Sequence, residues 1–189
     1  MLYKRIDDIP VNLSGRVAIK LHMGEAGNKT HVSPSDVRIL VDKIKENGDE
    51  AFLVDTTTLY PMRRYTVEGH QEVARENGFG EFNVIIAKDD VFEEINGIKI
   101  SKEILGMDSL LVLSHGKGHG LTGFGGAVKN IGMGCAVKDG KRKIHSPTFP
   151  KYDESKCTLC GSCTSSCFAN LIKIENGKLE IDIDKCSGF

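Results

Sequence analysis

The sequence predicts an α/β fold, a mostly parallel sheet with helices on both faces, followed by a smaller cysteine-bearing module. Three observations predict it. Short apolar runs of strand length recur along the first part of the chain. Segments of helical period separate them. Near Ser146 to Tyr152 the composition changes to a connector containing Pro147 and Pro150. Strands that alternate with helices are joined by crossovers, and crossovers make the strands parallel.

The elements follow in order. Val17-Ala18-Ile19-Lys20-Leu21 reads as a buried strand, and a polar loop with glycine runs from Gly24 to Val32. Ser33-Pro34-Ser35-Asp36 has the form of a helix start, with Ser33 as N-cap, Pro34 in the first turn and Asp36 reaching back toward free amides. Val37, Leu40, Val41 and Ile44 keep helical spacing up to the stop at Asn47-Gly48. Ala51 to Val54 is the second strand. Thr66 can cap a helix that ends at Asn77-Gly78, and Asn83 to Ala87 is the third strand. Gly97 to Ser101 reads as a short edge piece, and Asp108 to Ser114 as a further strand. A glycine-rich loop, Gly116 to Gly126, then leads into a helix from Ala127 to about Gly134. The domains expected are 1–150 for the α/β part and 151–189 for the module.

The formal net charge of −1 argues against a broad nucleic-acid-binding surface. Met1 to Asp8 has no apolar core of signal-peptide length, and the longest apolar runs are too short to span a bilayer. The expectation is a cytoplasmic protein that binds neither membrane nor nucleic acid.

Of the 6 cysteines, all but Cys135 fall between Cys157 and Cys186. Without an export signal, cluster or metal ligation explains that crowding better than disulfides do. Cys157, Cys160, Cys163 and Cys167 have the spacing C-x₂-C-x₂-C-x₃-C, the bacterial ferredoxin run. A structural zinc site is the alternative, but such sites usually pair two CxxC knuckles across a longer loop. Leu171 to Ile183 alternates apolar and polar residues around Asn176-Gly177, a hairpin signal. This hairpin, with Cys186 after it, resembles the segment joining the halves of a two-cluster ferredoxin. That resemblance implies a partial ferredoxin-like α+β module with 4Fe-4S clusters. Cys157, Cys160 and Cys163 would serve one cluster and Cys167 a second, with Cys186 as a further ligand.

The pattern departs from ferredoxins in two places. Phe168 follows the fourth cysteine, where they usually have proline. The chain also stops at Cys186-Ser187-Gly188-Phe189, where a second cysteine run would begin. The sequence is therefore expected to be a piece of a longer protein, with neither ligand set complete in these residues.

Open α/β sheets bind ligands at the carboxyl ends of their strands. Three such ends carry polar groups here: His22 with Lys29 in the loop beyond it; Asp55-Thr56-Thr57-Thr58 leading to Arg63-Arg64; and Ser114-His115-Gly116-Lys117-Gly118-His119. In a parallel sheet all three face one edge. His115, Lys117, His119 and Lys129 are the candidate catalytic residues. His22, Lys29, Asp55, Gly123, Gly125 and Gly126 are the candidate ligand cleft, suited to a small anion. The glycine loop matches neither the dinucleotide fingerprint nor a Walker A loop. Taken singly, His22 reads more readily as a structural histidine, Asp55 as a turn cap, and Arg63 and Arg64 as solvated unless one turns inward to clamp a carboxylate.

Ser114 to Cys135, with Lys29-Thr30-His31-Val32 and the cysteine run, resembles the signature of a large prokaryotic domain-of-unknown-function family of iron–sulfur cluster-binding proteins. The resemblance implies an α/β domain joined to a ferredoxin-type 4Fe-4S module and brings no established reaction. More distantly, Gly123-Phe124-Gly125-Gly126-Ala127-Val128-Lys129 is similar to the stretch of lactate racemase whose lysine carries a nickel pincer cofactor. That stretch has a serine before its glycine pair, which is missing here, and its lysine lies one residue closer to the pair. His115 would be the matching upstream histidine.

The expected function is an iron–sulfur redox protein that exchanges electrons between the module, a redox partner and a ligand at the strand ends. The alternatives are an electron-carrier or docking module, and an isomerase-type enzyme related to lactate racemase.

Overall fold

The computed structural model describes residues 12–119 and 123–188. The chain forms two compact units, the first ending at Lys141 and the second beginning at Arg142.

The first unit is built on a parallel sheet of β1 (Arg16–Lys20), β2 (Glu50–Thr56), β3 (Val84–Ala87) and β6 (Ser109–Val112), in the order β3-β2-β1-β6. Every neighbouring pair is parallel, as the strand–helix alternation predicts. Side chains alternate across the sheet, so each strand feeds two cores. Val17, Ile19 and Leu53 pack on one face with Val37, Leu40, Val41 and Ile44 of α1 (Pro34–Glu46), and with Ala74 of α2 (Val67–Ala74) and Phe79. Ala18 and Val54 pack on the other face with Ile104 of α3 (Lys102–Leu105) and with Cys135. This is the α/β architecture read from the sequence, with both faces covered.

The local signals operate as expected. Ser33 accepts a hydrogen bond from the Asp36 amide at 3.1 Å and caps α1, with Pro34 in the first turn. The Asp36 carboxylate accepts a hydrogen bond from the Ser33 hydroxyl at 2.8 Å rather than from a backbone amide. Thr66 caps α2 through the Gly69 amide, and the chain leaves that helix by a π turn over Arg75–Phe79.

Other features lie outside the sequence reading. The edge piece at Gly97 is one arm of an antiparallel hairpin of β4 (Phe92–Ile95) and β5 (Ile98–Ser101). The glycine loop contains a second small hairpin, β7 (Gly118–His119) with β8 (Gly123–Phe124), ahead of α4 (Gly126–Gly132). A helix, α5 (Lys138–His145), runs through the residues where the two units divide.

The second unit contains a short helix, α6 (Ser162–Ser166), and an antiparallel hairpin of β9 (Ile172–Glu175) with β10 (Lys178–Ile181). Its turn, Asn176-Gly177, has both residues in the left-handed region (φ 51 and 73), the conformation that makes Asn-Gly the preferred pair. Among the described residues of this unit no hydrophobic side chain is buried, and Phe168 is 72% exposed.

Candidate functional site

In the order β3-β2-β1-β6 the chain turns from one side of β1 to the other, so the crevice favoured for ligands lies beyond the carboxyl ends of β1 and β6. Asn130 of α4 closes over that point. Its amide group donates to the carbonyls of Lys20 and Leu113, each at 3.1 Å, and to the Ser114 hydroxyl at 2.8 Å. Its carbonyl oxygen accepts from the Lys20 amine at 2.8 Å. One side chain thus ties both strand ends to the helix that carries Lys129.

Around this clamp the structure gathers several of the residues expected from sequence. His22 and His115, just past the ends of β1 and β6, meet edge to face with ring centroids 6.2 Å apart. His119 and Lys129 are hydrogen-bonded through Nε2 and Nζ. Gly125 donates its amide to the Lys117 carbonyl at 3.2 Å, joining the glycine loop to the start of α4; Gly123 lies in β8 and Gly126 opens the helix. Lys117 is exposed. Lys29 is exposed on the turn in which Asn28 accepts the Thr30 amide at 2.9 Å.

Hydrogen bonds fix the roles of two imidazoles. The Gly24 amide donates to His22 Nδ1 at 3.0 Å, so the ring proton sits on Nε2 and His22 is a donor there. Burial, with the Arg64 charge nearby, lowers its pKa to about 3, so it remains neutral. His31 Nδ1 lies 2.8 Å from the Val32 carbonyl, which can only accept, so His31 Nδ1 carries a proton and donates. Gly24 makes the pairing feasible: a Cβ there would stand 2.7 Å from the His31 ring, on a backbone with φ +89°. Burial and the charge of Lys117 also depress the pKa of His115.

Beneath the crevice lies an ionic network that sequence reasoning largely missed. Asp55 is 5% exposed and receives the Lys20 amine at 2.9 Å, with Arg64 Nη1 and His70 Nε2 each 3.6 Å away. Burial opposes ionisation of Asp55, but Lys20, His70 and Arg64 outweigh it and hold the carboxyl well below the usual range. Arg64 turns inward and also binds Glu25 and Tyr60, while its neighbour Arg63 remains at the surface on Glu76. Lys141 donates to the Thr56 hydroxyl and the Thr57 carbonyl, and burial pushes its pKa down to about 7. Burial lowers His70 to about 4, and its Nδ1 is a buried polar atom without a hydrogen-bond partner among the described residues.

Asp55 was among the residues expected at the strand ends, and Lys20 was signalled too. Lys20 sits inside an apolar run already read as a buried strand, and a lysine there must find a buried partner. Arg64 is the member of the arginine pair that turns inward onto carboxylates, while the approach of Lys141 from more than 80 positions along the chain had no local signal.

In the second unit Cys157 and Cys163 line a pocket of about 290 Å³, with Tyr152, Ile172, Leu179 and Ile181 among its walls. Cys160, Cys167 and Cys186 stand outside that lining. All six cysteines are free thiols, and Cys135 is buried in the first unit's core. The Leu171 amide donates to Cys167 Sγ and the Gly188 amide to Cys186 Sγ, each at 3.4 Å. The Ser162 hydroxyl and amide, with the Thr158 hydroxyl, stabilise the Cys160 thiolate and lower its pKa to about 7. Thiolates with amide donors are the ligand chemistry of iron–sulfur clusters. Among the described residues, however, no three His, Cys, Asp or Glu side chains are drawn together closely enough to hold a metal ion. The donor chemistry fits a cluster, and the drawn-together ligand set is not formed.

The sequence model of one protein family, described as Domain of unknown function (DUF362), matches residues 17–173. The chain belongs to the DUF362 family. The match includes all four strands of the parallel sheet, the glycine loop and the first four cysteines of the module. No curated protein and no solved structure matches this DUF362 chain. No helix among the described residues is long and apolar enough to cross a membrane.

Proposed function

We propose that the chain is an iron–sulfur redox protein whose second unit holds a 4Fe-4S cluster and whose first unit binds a small anionic ligand at the carboxyl ends of β1 and β6. The observation that carries this reading is a unit with no buried apolar side chain among its described residues, yet with five free cysteines. A unit of that size without a core depends on a staple, and free thiols at ferredoxin spacing supply the ligands of one.

A bound cluster would supply one-electron transfer. Cys157, Cys160 and Cys163 would hold one cluster, and Cys167 and Cys186 belong to a second set. The Leu171 and Gly188 amides, already directed at Cys167 and Cys186, would stabilise those thiolates by hydrogen bonding. In the first unit, the neutral His22 would donate a hydrogen bond from Nε2 to a ligand oxygen, and Lys117 would supply the balancing positive charge. A redox partner completes the reading.

The test is anaerobic reconstitution with iron and sulfide, followed by analysis for iron, acid-labile sulfide, zinc and nickel. Iron with acid-labile sulfide, at the partial occupancy an incomplete ligand set allows and lost in Cys157→Ser and Cys163→Ser, is the expected result. Zinc without sulfide would overturn the cluster. Tightly bound nickel would instead favour the isomerase related to lactate racemase. A cluster in a protein whose first unit binds no small anion would leave the carrier or docking module.

A further inference from the structure

The stem of the glycine loop holds a pair of side chains that electron transfer does not use. β7 and β8 pair antiparallel, with His119 opposite Gly123, and the Gly125 amide fastens this hairpin to the Lys117 carbonyl at 3.2 Å. The Lys129 amide donates to the Gly125 carbonyl at 3.3 Å, which puts Lys129 one helical turn into α4. The hairpin and the helix thereby bring His119 Nε2 against Lys129 Nζ. Asn130, the next residue, fixes the same helix to the ends of β1 and β6, and the charge of Lys117 acts on His115 at that edge as well as on this pair.

Lys129 is half-buried, its amine meets the His119 imidazole, and the charge of Lys117 reaches it. Burial and the Lys117 charge lower the pKa of its amine; burial, Lys129 and Lys117 do the same for His119. A desolvated lysine beside another cation is the arrangement that yields a neutral, nucleophilic amine near neutral pH. The adjacent imidazole can exchange its proton.

We propose that Lys129 forms an imine with a small carbonyl compound carrying a carboxylate, an α-oxo acid. The Lys129 lone pair attacks the carbonyl carbon, forming the C–N bond. His119 Nε2 relays the two amine protons in turn, the first to the alkoxide to give the carbinolamine and the second to the departing hydroxyl. The carbonyl oxygen leaves as water, and neither oxidant nor reductant is consumed. Lys117, whose charge is felt at both groups, is the cation for the carboxylate. The proposal rests on the reading that this crevice holds an anion and is independent of the cluster.

The experiment treats the full chain with glyoxylate, reduces with borohydride and locates the carboxymethyl groups by peptide mass mapping. Lys129 is expected to be modified about tenfold faster than exposed lysines such as Lys45, with half-maximal rate at a lower pH. Lys117→Gln should move that midpoint upward, and His119→Gln should slow the reaction without moving labelling elsewhere. Lys129→Arg, which keeps the charge, should remove that site alone. Labelling of Lys129 no faster than of Lys45 would overturn the proposal. Equal reactivity toward acetaldehyde and glyoxylate would overturn the α-oxo acid class. Iron and sulfide measured on the same samples report separately on the cluster, so the two failures cannot be confused.

Discussion

The two units answer the same physical problem in opposite ways. The first buries apolar side chains on both faces of its sheet and has enough interior left to sequester Lys20, Asp55, Arg64, His70 and Lys141. The second leaves Phe168, Leu159 and Ile174 in solvent and is held, in its described residues, by turns, one hairpin and polar contacts such as Arg142 to the Ile183 carbonyl at 3.0 Å. A core that closes by itself can carry the cost of buried charge, because packing supplies the difference. A unit without one must draw order from ligation. The difference shows where each unit is fragile: the first at its ionic network, the second at its thiols.

The largest effect should therefore come from the cysteines. Chelating iron from the reconstituted chain, or substituting Cys157→Ser, is expected to remove protease resistance throughout Arg142–Phe189 while the first unit keeps its hydrogen-exchange protection. A second unit that stays protected without metal would break the comparison. Next comes Asp55→Ala, which strands Lys20 and Arg64 without their central carboxylate. Urea unfolding of the first unit should show a loss of about 3–5 kcal/mol.

The pH dependence of the first unit should be of similar size. Lys141 titrates near 7 when folded, against an ordinary value of 10.5, so the unfolded chain holds the extra proton between those values. Stability should rise with pH across that window, on the order of a few kcal/mol, and Lys141→Met should flatten the rise. A slope that survives Lys141→Met would assign it to other groups. The smallest effect is expected for Thr66→Ala, which removes the α2 cap at about 1 kcal/mol and should leave the second unit untouched.

Sequence and structure agree where the signal is local. Ser33-Pro34 and Thr66 cap the helices they were expected to cap, and Asn176-Gly177 turns the expected hairpin. Asn96-Gly97 carries the same turn signal, yet only its second arm was read. Phe92-Glu93-Glu94-Ile95 offers little alternation, and the hairpin shows only once the two arms are paired. At the site, the convergence of His22, His115, His119 and Lys129 follows from parallel topology, which alternation of elements reveals. The clamp by Asn130 and the insertion of Arg64 and Lys141 depend on tertiary contacts between residues far apart in sequence, and no periodicity encodes those.

The strand order also has a kinetic side. β1 meets β2 across a short span, as in the Gly15 to Asp49 hydrogen bond 34 residues apart, but meets β6 across a long one, as in Arg16 to Asp108, 92 residues apart. Loop closure alone makes the second encounter less favourable by roughly 1 kcal/mol. Long-range pairings of this kind also slow folding. β1, β2 and β3 can assemble from the first half of the chain while β6 is still unpaired. The crevice between β1 and β6 is then the last part of the sheet to form, and a ligand that binds there would act on the final step of maturation as well as on the finished protein.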